Sequence, residues 1–95
     1  ADLDDGLPAA VAAGAIGDCY LELGNYGEAL SYFNEAIETS SNLLTAPIYL
    51  KKAALVHIEN GDFEEALANF ERIKEEYPSS TEARTIDSYI ARVGG

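Results

Sequence analysis

Downstream of Gly61 the apolar residues fall at Phe63, Ala66, Leu67, Phe70, Ile73 and Tyr77, in steps of 3, 1, 3, 3 and 4. That is the 3.6-residue period of one helix face, and the other face carries Glu64, Glu65, Glu71, Arg72, Lys74 and Glu75. Asp62 and Glu65 have the spacing of a capping box, and Gly61 before them can end the preceding helix in a left-handed conformation. The same pattern occurs earlier, where Tyr26, Ala29, Leu30, Phe33, Ala36 and Ile37 predict a helix from about Tyr26 to Thr39. Ahead of it, Pro8 suits a first turn, and Ala9–Leu23 holds no breaker beyond Gly14 and Gly17. Thr45 can cap a third helix, with Ala46 and Pro47 in its first turn, running to about Asn60. A last helix follows Tyr77-Pro78: Ser79 and Glu82 form a second capping box, and Ala83, Ile86, Tyr89, Ile90 and Val93 make its apolar face before Gly94. Five helices and no strand make the predicted fold all-α.

The helices come in copies. At an offset of 37 residues, Gly24-Asn25-Tyr26-Gly27-Glu28-Ala29-Leu30 lies over Gly61-Asp62-Phe63-Glu64-Glu65-Ala66-Leu67, and six of the fifteen positions from 24 to 38 are identical. Such a period signals one supersecondary unit stacked on copies of itself. The predicted organisation is an N-terminal linker or truncated upstream segment over 1–7, a first repeat over 8–43, a second over 44–78 and a capping helix over 79–95. Ser40 to Leu44 reads as the connector between units.

Ile16-Gly17-x-x-Tyr20 with Ala29-x-x-x-Phe33 resembles the tetratricopeptide repeat, a helix–turn–helix unit of about 34 residues. Ala54-x-x-His57, Gly61, Ala66-x-x-x-Phe70 and Pro78 give the second copy. The resemblance implies an α–α superhelix of two hairpins plus a capping helix. In it the small residues (Gly17, Ala54, Ala29, Ala66) let helices approach, and Phe33 and Phe70 fill the space between units. Two departures stand out: the connector holds three extra residues with Ser41 in place of a terminal proline, and Ala13 and Leu50 replace the large aromatic expected early in each first helix. A narrower likeness, carried by Ile16–Tyr20, Pro47–Ala53 and Ile73–Pro78, is to the C-terminal repeats of membrane-tethered bacterial proteins of the YfgM kind. It implies a periplasmic or cytoplasmic domain of an anchored protein. With Ala1 first and no methionine, the chain reads as either a processed chain or an excised domain, and the likeness would explain that missing start by an anchor and earlier repeats upstream.

Ninety-five residues amount to one small domain, which leaves little room for a catalytic cavity beside its core. Seventeen acidic against six basic residues give a net charge of −11, which repels nucleic acid and anionic membrane surfaces. No apolar run reaches the roughly 20 residues that span a bilayer. One cysteine and one histidine provide neither an internal disulfide nor a Cys/His zinc site. His57 reads as an inward histidine, in the core or semi-buried, and Cys19 as a buried, inert thiol. The carboxylate clusters Asp2-Asp4-Asp5, Glu64-Glu65 and Glu75-Glu76 read as solvated faces, without the spacing of a calcium loop. No catalytic residue, metal or cofactor is expected, and the chain reads as a non-enzyme.

Recognition remains. In stacked hairpins the first helices line the concave side. By the geometry of the resembled family, the groove positions are Val11, Gly14, Asp18, Leu21 and Glu22 in the first unit, and Ile48, Lys51, Leu55, Ile58 and Glu59 in the second. An apolar centre flanked by acids and one lysine suits a peptide or protein segment with apolar anchors and a basic residue beside Asp18 or Glu22. In members of the resembled family that clamp a chaperone's C-terminal carboxylate, asparagines stand where this sequence has Asp18 and Leu55, so the resemblance does not extend to that specialisation. The competing expectation is an architectural segment that extends a longer superhelix or mediates self-association, including through Val11 to Ile16.

Overall fold

The computed structural model describes residues 6–40 and 45–94, with backbone only at Gly6–Pro8, Ser40, Val93 and Gly94. The connector with its three extra residues and Ser41 therefore lies outside the described residues. Six helices follow in order: α1 (Gly6–Glu22), α2 (Tyr26–Ser40), α3 (Ala46–Glu59), α4 (Phe63–Glu76), α5 (Thr81–Thr85) and α6 (Asp87–Gly94). No strand occurs among the described residues.

Each helix packs on the next from α1 to α4, α5 lies against both α3 and α4, and α6 against α4. The first helices α1 and α3 and the α5/α6 segment form one layer, and α2 and α4 the other. The Cα envelope of 45 × 32 × 15 Å has the thickness of two such layers.

The two interhelix turns match hydrogen bond for hydrogen bond at the 37-residue offset. Gly24 N–H donates to Leu21 O at 3.0 Å and Asn25 N–H to Tyr20 O at 2.9 Å; Gly61 donates to Ile58 at 3.0 Å and Asp62 to His57 at 2.8 Å. Both glycines hold positive φ, +79° and +82°, the left-handed residue that such a helix ending requires. The expected capping box at Asp62 does not form. Asp62 stands at the N-cap of α4 without a side-chain capping bond, and one carboxylate oxygen lies 3.9 Å from His57 Nδ1 instead. Thr45 is the N-cap of α3, its carbonyl accepting from Tyr49 N–H, with Pro47 in the first turn. The cap of α5 is Ser80 rather than Ser79: its hydroxyl accepts from Ala83 N–H at 3.1 Å.

The expected single capping helix is two. Thr85 Oγ1 donates to Glu82 O at 3.0 Å and Ser88 Oγ to Thr85 O at 3.4 Å. These hydroxyls compete with the helical ladder and bend the segment at Ile86, whose side chain is fully buried.

Equivalent positions form the core. Ala29 and Ala66, Phe33 and Phe70, and Ala36 and Ile73 are all without solvent exposure. Phe33 stacks on Tyr49 of the next hairpin (6.4 Å between centroids) and Phe70 on Tyr89 of α6 (5.7 Å), so each ring joins its own unit to the following one. The rule that an aromatic fills the gap between units therefore extends to the C-terminal helix.

Candidate functional site

The first layer carries a cleft of about 280 Å³ lined by Leu21 of α1, Leu55, Val56, Ile58 and Glu59 of α3, and Tyr89 and Arg92 of α6. Four of the ten expected groove residues converge here: Leu21, Leu55, Ile58 and Glu59. Leu21, Leu55 and Ile58 are half-buried, packed against the core from one side while their other side faces the cleft.

The remaining six stand elsewhere. Gly14 is buried beneath Tyr49, and a Cβ there would lie 2.2 Å from the Tyr49 ring, so it serves helix packing and offers no groove surface. Asp18 is held by Lys52 across the two hairpins, Nζ to Oδ1 2.9 Å and to Oδ2 3.2 Å. This takes up the carboxylate expected to meet a ligand's basic residue. Lys51 donates to Thr85 Oγ1 at 3.0 Å and sits 5.4 Å from the centroid of the Tyr89 ring. Ile48 packs half-buried against the core, while Val11 and Glu22 are exposed beyond the cleft.

Three lining residues are not among the expected groove positions: Val56, which is almost wholly buried in α3, and Tyr89 and Arg92, which stand on the C-terminal helix that the repeat pattern assigns to capping. Arg92 lies 5.7 Å from the Tyr89 centroid, so this ring carries a cation from α3 on one contact and one from α6 on another. The available signal was the spacing Ile86, Tyr89, Ile90, a core stripe with Arg92 three residues beyond Tyr89. The charges around the cleft differ from those of the chain as a whole. Lys52, Arg72 and Lys74 are each paired with a carboxylate (Asp18, Glu76 and Asp87), whereas Lys51 and Arg92 both flank one tyrosine.

His57 is half-buried as expected, and its Nδ1 is shielded from solvent with no hydrogen-bond partner. Its counterpart in the first unit, Tyr20, is also half-buried and stacks on Tyr32. Cys19 is exposed, contrary to the expectation of a buried thiol. Its counterpart Val56 is 1% exposed because α2 precedes α3, whereas no described helix precedes α1. Among the described residues no three His, Cys, Asp or Glu side chains are grouped to hold a metal ion, and no helix is long and apolar enough to cross a membrane.

Stacked antiparallel helical hairpins with glycine-closed turns and small-residue contacts define a helical repeat protein. Two profiles described as the tetratricopeptide repeat match the chain, one over residues 10–43 and one over residues 50–80. The chain belongs to the tetratricopeptide repeat family. It is also similar to the photosystem I assembly protein Ycf3 of Prochlorococcus marinus subsp. pastoris, with 31% identity over 55 residues, 58% of this chain and 32% of that protein. The chain thus aligns with about a third of the length of the relative it matches.

Proposed function

We propose that this domain binds a segment of a partner protein in the cleft formed by Leu21, Leu55, Ile58 and Tyr89. Tetratricopeptide repeats generally mediate protein–protein interaction, and the relative Ycf3 is by name an assembly protein. The observation that carries the reading is a pocket with apolar walls from three helices, rimmed by Glu59 and by Arg92 on the Tyr89 ring. A small pocket with few polar groups fixes orientation through those groups. The preferred segment places a bulky apolar side chain in the cleft, a carboxylate toward Lys51 and Arg92, and a basic residue toward Glu59. The chain's net charge of −11 adds long-range attraction for basic partners. Residues Val11, Ile48 and Glu22 extend this surface beyond the cleft. Within the same reading, the likeness to membrane-tethered repeat proteins makes the domain the partner-holding end of an anchored scaffold.

Selection of displayed random peptides on the 95-residue protein tests it. Enriched peptides should share an apolar anchor beside an acidic residue, and should bind Leu55→Asp at least about tenfold more weakly. Peptides that bind Leu55→Asp and Arg92→Glu as well as the parent would place recognition on another surface.

A further inference from the structure

Along the edge where the two helices of a hairpin meet, the first unit differs from the second. Tyr20 of α1 stacks on Tyr32 of α2, with centroids 5.7 Å apart and ring planes at 13°, and both rings are half-buried. Leu23, three residues beyond Tyr20, is 78% exposed, the most of any large apolar side chain among the described residues. At the repeat offset these three places hold His57, Asn69 and Asn60, and Asn69 Nδ2 donates to Leu50 O at 3.3 Å. The same hairpin therefore folds with polar residues at all three, so the aromatic pair and its leucine are not a requirement of the fold. Nor do hairpins stack through this edge. The second unit has the first packed in front of it, yet Asn60 stays exposed and His57 and Asn69 half-buried. The surrounding charge is one-sided as well. Glu28 and Glu35, both exposed, lie four residues before and three after Tyr32, on its flank of α2. All six Lys and Arg residues lie from residue 51 onward, and Lys52, which reaches this hairpin, is engaged by Asp18. Among the described residues neither Glu28 nor Glu35 has a salt-bridge partner, whereas the second unit has Arg72 at the place of Glu35, paired with Glu76.

We propose that the α1–α2 edge around Tyr20, Leu23 and Tyr32 is a second docking surface, and that its occupant is an arginine on an otherwise apolar segment of a partner protein. The guanidinium plane lies against the aromatic pair, and its forked donors match the carboxylate of Glu28 or Glu35. The arginine stem and an adjacent apolar side chain cover Leu23. Lysine fits less well, because its compact, strongly hydrated charge has neither the fork nor the stacking plane. Tyr20 faces α2 while Leu21 beside it faces the cleft, so this surface is independent of the one proposed above.

The experiment titrates the 95-residue protein with a short peptide that holds an arginine between leucines and is blocked at both ends, followed by NMR. Resonances of Leu23, Glu28, Tyr32 and Glu35 should shift. The arginine peptide should bind at least about tenfold more tightly than its glutamine analogue, with the lysine analogue between them. Tyr32→Asn and Leu23→Asn each install the residue that the second unit uses, so both should keep the parent's circular dichroism. Each should weaken the arginine peptide by about tenfold. Glu28→Gln combined with Glu35→Gln should abolish the preference for arginine over glutamine. Shifts confined to Leu21, Leu55 and Ile58 would place the peptide in the cleft and overturn the proposal. Shifts spread over Glu64, Glu71 and Glu75 overturn it too, since they report only attraction to a chain of net charge −11. So does equal affinity in the parent and either asparagine variant.

Discussion

The Phe33 ring rests on the backbone of Gly17, where a Cβ would lie 2.7 Å from the nearest ring carbon. Phe33 has no solvent exposure and is stacked on Tyr49, so the ring has no free direction in which to retreat. Gly17→Ala should therefore destabilise by about 1–2 kcal/mol, overpacking outweighing the helix propensity gained. Gly27, also helical, has nothing within 4 Å of its Cβ position, and Gly27→Ala should stabilise by up to about 1 kcal/mol. Urea midpoints of the two variants, moving in opposite directions, check the pair. The second unit already has Ala54 at the place of Gly17, so equivalence in sequence does not transfer the outcome.

Phe70 is the corresponding ring of the second unit, fully buried and stacked on Tyr89. Phe70→Ala should cost about 3–5 kcal/mol as a large-to-small core change. With a total stability of ~5–10 kcal/mol for a domain of this size, the variant should be close to unfolding at body temperature. Loss of the α6 contact should appear first, as faster amide exchange in residues 87–92 than in α1.

The periodic apolar faces and the two glycine-closed turns were legible in the sequence because both are local. A helix face needs only 3.6-residue spacing, and a left-handed ending needs only a glycine at its place. What depends on neighbouring helices was not. The hydroxyls of Thr85 and Ser88 can point to water or bond back to the helix, and the bend at Ile86 follows from the second choice. Of the four expected positions that line the cleft, Leu55, Ile58 and Glu59 share one face of α3, which a single-helix pattern can align, and Leu21 joins them from α1. Asp18 and Lys51 are engaged by Lys52 and Tyr89 on other helices, which no single-helix pattern encodes. Cys19 shares its place in the repeat with buried Val56, yet exposure depends on what precedes each helix.

Gly61 carries φ +82° with open space around its Cβ position, so a substitution there acts through backbone strain alone. Gly61→Ala should cost about 1–2 kcal/mol, and Gly61→Asn less, because asparagine tolerates the left-handed region. Gly24, at φ +79° with the same open surroundings, should give the same ranking. Thermal melts of the four variants test whether the two turns are energetically as well as geometrically equivalent.

The Asp18–Lys52 pair links α1 to α3, but its side chains are 44% and 39% exposed. At that exposure water and salt screen most of the attraction, and Lys52→Ala should lower stability by no more than about 1 kcal/mol. The larger effect should be on recognition, because removing Lys52 returns the Asp18 carboxylate to solvent. Binding of a basic peptide should therefore strengthen in Lys52→Ala, most clearly at low salt, and titrations at two salt concentrations measure it.

Tyr89 serves packing and recognition at once, and Tyr89→Leu separates the two. Leucine keeps apolar contact with Phe70 and loses the ring stack, worth about 0.5–1.5 kcal/mol, so the fold should survive with a modestly lower melting temperature. It also removes the aromatic face shared by Lys51 and Arg92, at 5.4 and 5.7 Å from the centroid. Without that face each cation loses about 0.5–1 kcal/mol of orienting attraction; Arg92 swings into solvent, and Lys51 is left with its bond to Thr85 alone. Peptides carrying an acidic residue beside the apolar anchor should then bind about as weakly as their glutamine analogues, while the anchor's own contribution persists through Leu55 and Ile58. Equal preference for acidic over glutamine peptides in Tyr89→Leu and in the parent would show that Lys51 and Arg92 act without the ring.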